Sequence, residues 1–432
     1  MKLRPDGRTH AFELLFFLLV LFLISNFPVV VGQRLKEKHG LVLVGGRVYT
    51  SPYEAPIASG VVLIVDGKIA AVGEKGKVRI PSGAEILDCT GRAVVAGFWN
   101  SHVHFTEPKW ENAVGIPAAR LNELLQAMLT RYGFTSVVDT GSLLPNTLAL
   151  RRRIESGEVA GPRILTAGSP LFPKDGVPYY VMDSVPLDVV KLLPQPATAG
   201  EAIRAVDEHV AQGADVIKLF ALSWVRSDGK KITMPMPAAI IQAAVAEAHR
   251  KGRLVFAHPS TIEGVELALQ GHVDIIAHTT EDPERWTGSI VARLKAAKVS
   301  LIPTLTLFSG EDDFDGILRE VKSYSDAGGQ ILFGTDVGYL TEYSGLTKEY
   351  ELLARAGLTF PQILASLTTA PAARFGFAKR TGRIVKGMDA DLVVLDADPA
   401  QDVRRFAKVK RTLRRGRIIY PAPPPEKPAS GR

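Results

Sequence analysis

Between residues 41 and 95 apolar and polar positions alternate in short runs. LVLVGGRVYT, GVVLIVDGKIAAVG and AEILDCTGRAVVAG read as strands with one buried face, cut by Gly-Gly, Asp-Gly and Ser-Gly turns. Asp66-Gly67 between two apolar runs signals a tight hairpin, because both residues tolerate the left-handed backbone that such a turn needs. After Trp99 the rhythm changes. Apolar runs now alternate with stretches whose apolar positions recur every three or four residues. Eight runs read as strands, at 94–99, 136–140, 163–167, 216–220, 254–257, 275–277, 301–303 and 331–334. Helical patterns lie between them, for example at 119–132, 201–212, 237–251, 262–270 and 290–297. Strand followed by helix, eight times over, predicts a (β/α)8 barrel across 96–379. Near Thr381 the strand-and-turn rhythm returns in TGRIVKGMDADLVVLDADP and VKRTLRRGRIIY. The expected fold is therefore α/β, a TIM barrel plus a small β-sandwich domain that both chain ends build, from 41–95 and 380–420.

Barrels of this kind place their chemistry at the C-terminal ends of the strands. Those ends carry a consistent set of side chains. His102 and His104 leave the first strand two residues apart, so both rings project from one face and can share a cation. The fourth run, ADVIKLFA, holds Lys218 among apolar residues. The fifth ends at His258, the sixth at His278 and the eighth at Asp336. Any one of these has a structural explanation, but six at matching positions point to a metal centre. By contrast, His209 and His249 lie inside helical patterns, and His272 sits in a turn. Gly168-Ser169-Pro170 does not match a nucleophile elbow, so no serine mechanism is indicated. Trp110, Tyr179 and Tyr180 lie in loops after strands one and three, where they could line a pocket or pack the loops. Arg226, Lys230 and Lys231 follow strand four and could pair with a substrate carboxylate or face solvent.

Composition adjusts this picture at the chain ends. Basic Lys2, Arg4 and Arg8 precede the apolar run LLFFLLVLFLI, which is short for a membrane span and is followed by small residues up to Gly32. Residues 1–32 read as a cleaved signal peptide, so the destination is periplasmic or secreted, with an uncleaved anchor as the alternative. The tail after 420 is Pro-rich. The single cysteine, Cys89, allows no intrachain disulfide and reads as a packed core thiol. The net charge of +7 concentrates between Arg404 and Arg417, with no nucleic-acid motif around it, and reads as a solvated basic face.

The whole set resembles the amidohydrolase superfamily, in its imidazolonepropionase-like and metal-dependent dipeptidase branch. The resemblance rests on LVLVGGRVYT with VDGKIAAVG, AGFWNSHVHF, FGTDVG, LTFPQILASLTTAPAARFGF and TGRIVKGMDADLVVLDADP. It implies two divalent ions, zinc first among the candidates. His102, His104 and Asp336 would hold one ion and His258 and His278 the other. Lys218 would be carboxylated and bridge both, with a metal-activated hydroxide between them. Asp336 would also carry the proton to the leaving amine. Mononuclear imidazolonepropionases lack the bridging lysine, so Lys218 favours the binuclear dipeptidase-like side. The loop after Asp336, GYLTEYSGLTKEYELL, departs from the family in having no His.

The function this implies is hydrolysis of an amide or peptide C–N bond in a dipeptide or N-acyl amino acid. A cyclic-amide, lactone or imidazolonepropionase-like hydrolase is the enzymatic alternative. A degenerate barrel acting as a binding protein is the non-enzymatic one. The expected partner is a small-molecule amide or dipeptide, with no nucleic acid and no stable membrane partner after signal cleavage; a homo-oligomer is compatible with the sequence.

Overall fold

Alternation along Leu41–Val48 decides how the first domain folds: Leu43 and Val48 enter one apolar cluster, and Val42 enters another across the sheet. The computed structural model describes residues 40–185, 187–341 and 346–421. The signal-peptide segment 1–32, the Pro-rich tail beyond 421 and part of the loop after Asp336 lie outside the described residues. Among the described residues no helix is long and apolar enough to cross a membrane.

Eight strands join into one sheet. Its order is Arg417–Tyr420, Val409–Arg414, Leu392–Leu395, Ala93–Ala96, Leu41–Val48, Ile57–Val65 and Lys68–Glu74, with Glu85–Asp88 pairing beside Leu41–Val48. The two chain ends meet where Leu392 pairs with Ala96 and Val394 with Val94. Asp66 (φ 51°) and Gly67 (φ 74°) form the tight turn between the second and third strands. Cys89 is fully buried, and burial pushes its thiol up to about 11, so it stays neutral core packing.

The barrel follows. Its strands are Phe98–Val103, Phe134–Asp139, Arg163–Thr166, Val216–Phe220, Leu254–His258, Ile275–Ala277, Ser300–Ile302 and Gln330–Ile331. The first three pair in parallel, as do the last five. Backbone bonds close both gaps. Leu171 N donates to Lys218 O (2.9 Å) and Phe220 N to Leu171 O (2.9 Å); Ser101 N donates to Phe333 O (2.7 Å) and Asp336 N to His102 O (3.0 Å).

The run 94–99 is one strand in the sequence pattern and two in the structure. Ala93–Ala96 belongs to the composite sheet, and the barrel starts at Phe98. Gly97 is the crossing point. A Cβ there would lie 2.2 Å from Thr135 Oγ1, so only glycine permits the close passage.

Inside the barrel, Trp99, Val138, Ala167, Val216, Phe256, Ala277, Ile302 and Leu332 form one cluster. Phe375 and Phe377 close its N-terminal end: Phe375 stacks on Trp99 at 5.5 Å and on Phe256 at 6.1 Å. The opposite end is left to polar side chains.

Candidate metal centre

Strand alternation aims most of the site. Val216 lies in the interior cluster and Ile217 and Leu219 in the outer, helix-facing one, so Lys218 shares the face of Val216 and points inward. The same parity places His258 inward, two residues after Phe256. In the first strand the pairing register shifts between Asn100 and Val103, after which Val103 faces the helices and His102 and His104 face the mouth. His278 follows Ala277, an inward residue, and φ 90° turns its ring back to the mouth. Asp336 (φ 60°), Thr304 (φ 47°) and Ser260 (φ 54°) are in the same left-handed region at neighbouring strand ends. Non-glycine residues rarely adopt it, and such residues gather at functional sites.

Asp336 Oδ1 lies 3.2 Å from His102 Nε2 and 2.9 Å from His104 Nε2, and these three side chains form a ligand group within 4.8 Å. The His102 ring is 4.6 Å from the His278 ring, which is 4.7 Å from the ring of His258. Phe220 stacks on His258 at 4.4 Å, and Lys218 Nζ lies 5.6 Å from the Phe220 ring. The structure thus brings all six sequence-predicted residues to one end of the barrel, with His102, Lys218, His278 and Asp336 buried.

Two of the rings have their tautomers set by neighbours. His104 Nδ1 is 2.9 Å from Gly141 O, an acceptor only, so that nitrogen carries the proton. His278 Nδ1 is 2.7 Å from Thr304 Oγ1, whose hydroxyl donates to Pro303 O at 2.8 Å. In both rings Nε2 keeps a lone pair. This is the arrangement by which outer contacts orient metal-binding histidines.

Burial pushes His102 down to about 3 and holds His258 and His278 well below the usual imidazole range, so all three are neutral near pH 7. For His104 burial is outweighed by the Asp336 carboxylate, and its value rises. Asp336 is held well below the carboxylate range: burial opposes this, and the two imidazoles beside it outweigh burial. Lys218 falls to about 7 because it is buried, with Asp336 pulling the other way.

This donor set fits a divalent ion. Among the described residues buried Asp336 Oδ1 has no hydrogen-bond partner, yet the Nε2 atoms of two imidazoles crowd it. A cation at that point would be held by Asp336 Oδ1 and by the Nε2 lone pairs of His102 and His104, which face that oxygen at 3.2 and 2.9 Å.

Around the mouth, several side chains singled out in the sequence are already engaged. Trp110 is fully buried against Phe105 and packs its loop. Arg226 pairs with Asp183 (2.8 Å) and lies over Tyr179, and Lys231 pairs with Glu281 (3.1 Å). Glu281 also accepts from Trp224 Nε1 at 2.9 Å. Tyr180 meets Tyr339 at 5.7 Å, and the phenols of both are raised by burial, with Asp336 among the negative neighbours. Sequence reasoning did not single out Thr304, Gly141 or Phe220, which are named by no motif and known only through contacts with the site.

Residues 93–419 match the Amidohydrolase family, and the chain belongs to that family. Among curated proteins it is 25% identical to an ochratoxinase of Aspergillus niger, over 90% of this chain and 87% of the relative. It is 26% identical to a dihydroorotase of Pelotomaculum thermopropionicum, over 88% of this chain and 96% of that one. Among solved structures it is similar to a prolidase complexed with N-methylphosphonate-L-proline, with a TM-score of 0.71 and 25% identity over 88% of this chain and 99% of that chain.

Proposed function

We propose that this member of the amidohydrolase family is a binuclear metal-dependent hydrolase that cleaves the C–N bond of an N-acyl amino acid or dipeptide. The observation that carries the reading is the meeting of Asp336 Oδ1 with two imidazole nitrogens beside an inward, buried Lys218. His102, His104 and Asp336 would hold one ion, and His258 and His278 the other. Lys218 would bridge them once its amine has combined with CO2 to give a carbamate, releasing a proton. Burial favours the neutral amine that this addition needs. Bound ions would polarise the scissile carbonyl and activate a water for attack. With Oδ1 turned to the imidazoles, Asp336 Oδ2 is left to take the proton of that water and deliver it to the leaving nitrogen. Phe220 stacks on His258 and lies beside the buried Lys218.

On the substrate side, Tyr179, Tyr180 and Tyr339 gather in ring contact near the mouth and favour an apolar or aromatic group on the substrate. The likeness to a prolidase holding N-methylphosphonate-L-proline, a phosphorus analogue of an N-acyl proline, supports an N-acylated amino acid. A second reading, opening of a cyclic amide or lactone, rests on the comparable identity to a dihydroorotase. Residues 1–32 are assigned to export and cleavage, which N-terminal sequencing of the exported protein tests.

Metal analysis joined to an activity screen decides the main reading. About two divalent ions per chain are expected, with turnover of dipeptides or N-acyl amino acids exceeding that of cyclic amides and lactones. Lys218→Ala is expected to lose the second ion and most activity, with partial rescue by short carboxylic acids. Absence of bound metal, with no gain on adding Zn, Mn or Co, overturns the proposal.

A further inference from the structure

His278 is the ligand whose aim the strand itself does not supply, because it follows the inward-facing Ala277 and depends on φ 90° to return its ring to the mouth. Its Nδ1 contact is Thr304, and Thr304 is a β-branched residue at φ 47°. A residue of that type stays in the left-handed region only when its surroundings hold it there. The next two residues supply that hold. Leu305 N (2.8 Å), Thr306 N (2.7 Å) and Thr306 Oγ1 (2.8 Å) all donate to the carboxylate of Glu349, a buried residue on the helix Leu346–Arg355. All three partners are donors, so an acceptor-only carboxylate satisfies them together and an amide cannot.

We propose that Glu349 is a positioning residue: it locks the turn after Thr304, and through the Thr304 hydroxyl it sets the tautomer and aim of His278. The inference rests on the reading of His278 as a metal ligand. A second buried acid gives an internal contrast. Glu320, on the helix Phe314–Asp326, accepts from Thr280 N at 3.1 Å and is hydrogen-bonded to the Thr280 hydroxyl. It steadies the segment after His278 but makes no hydrogen bond that leads to the imidazole.

The test uses the full chain with 15N-labelled histidine, the His278 signals being those lost in His278→Asn. In the metal-free wild type, His278 should carry its proton on Nδ1. In Thr304→Val and Glu349→Gln both tautomers should appear, and Co2+ titration should show the second site weakened about 10–100-fold, the usual cost of losing an outer contact. Thr304→Ser keeps the hydroxyl and should keep the tautomer, as should Glu320→Gln. Should Glu349→Gln not fold, Thr306→Val removes one of the three donors and should give a partial tautomer mixture. A folded Glu349→Gln with the wild-type tautomer and Co2+ affinity overturns the proposal, as does a Thr304→Val chain that behaves like Thr304→Ser. If the wild type binds only one Co2+, the binuclear reading fails, while the tautomer of the metal-free chain still decides the role of Glu349.

Discussion

The two ends of one barrel are built on opposite principles. At the N-terminal end, aromatic rings stack: Phe375 lies between Trp99 and Phe256, and the interior cluster around them is apolar. At the C-terminal end, four non-glycine residues (Ser260, His278, Thr304 and Asp336) take left-handed backbones, and buried polar atoms wait for partners. The closed end can be read as stored stability and the open end as stability given up for geometry. The strain at the mouth persists because side chains on the outer helices, above all Glu349, hold its turns. Substitutions at the two ends should therefore fail differently, one set in chemistry and the other in unfolding.

The sharpest break at the mouth is Asp336→Asn. The amide keeps an oxygen that can ligate but cannot accept the proton in the proposed mechanism. A fall in kcat of roughly 10²-fold or more is expected, the range for losing general acid–base catalysis, with much of the metal retained. Steady-state kinetics on metal-assayed protein checks this. Near-normal turnover in the metal-replete variant would move proton transfer elsewhere, with His278 next to test.

At the closed end the order of effects should reverse. Phe375 is half-buried and stacks on two rings, so Phe375→Ala is expected to cost about 3 kcal/mol, the low end for removing a phenylalanine side chain. Urea unfolding measures that loss, and kcat per folded molecule should stay close to wild type. A large drop in kcat without loss of stability would show that the two ends are mechanically coupled and do not divide stability from chemistry.

The mouth's side of this contrast was legible in the sequence, and the unread part has a common cause. His102-Val103-His104, His258, His278 and Asp336 announce themselves because each falls at the end of an apolar run, and Lys218 because it interrupts one. The eight-fold strand and helix rhythm carries the barrel. The boundary at Gly97 was not legible: 94–99 is continuously apolar, and the space that demands glycine comes from Thr135, far along the chain. Glu349 and Glu320 were not legible either. Glu349 falls in GYLTEYSGLTKEYELL, read from the sequence as a loop but helical from Leu346, and Glu320 falls on a helix the pattern did not single out. Their partners Leu305 and Thr280 are 44 and 40 residues away. Hydrophobic periodicity reports burial of a face; it does not report which distant backbone amide a carboxylate will meet.

The smallest expected effect refines the account of the mouth's support. Burial pushes Glu320 up to about 8 from an ordinary value of 4.5, and the backbone and hydroxyl of Thr280 pull only partly against this. Its folded-state value is raised, so the neutral form belongs to the folded chain. Whatever stability that form contributes is whole below about 4.5 and is lost as pH rises toward 8. The Thr280 hydroxyl can donate or accept, so an amide at position 320 can replace the neutral acid bond for bond. Glu320→Gln should therefore match wild type near pH 5 and exceed it progressively up to pH 8, by on the order of a few degrees in Tm. Differential scanning calorimetry across that range measures the difference. A gap that stays flat with pH would mean that Glu320 is held as a carboxylate, and the two buried acids beside His278 would then work in the same way.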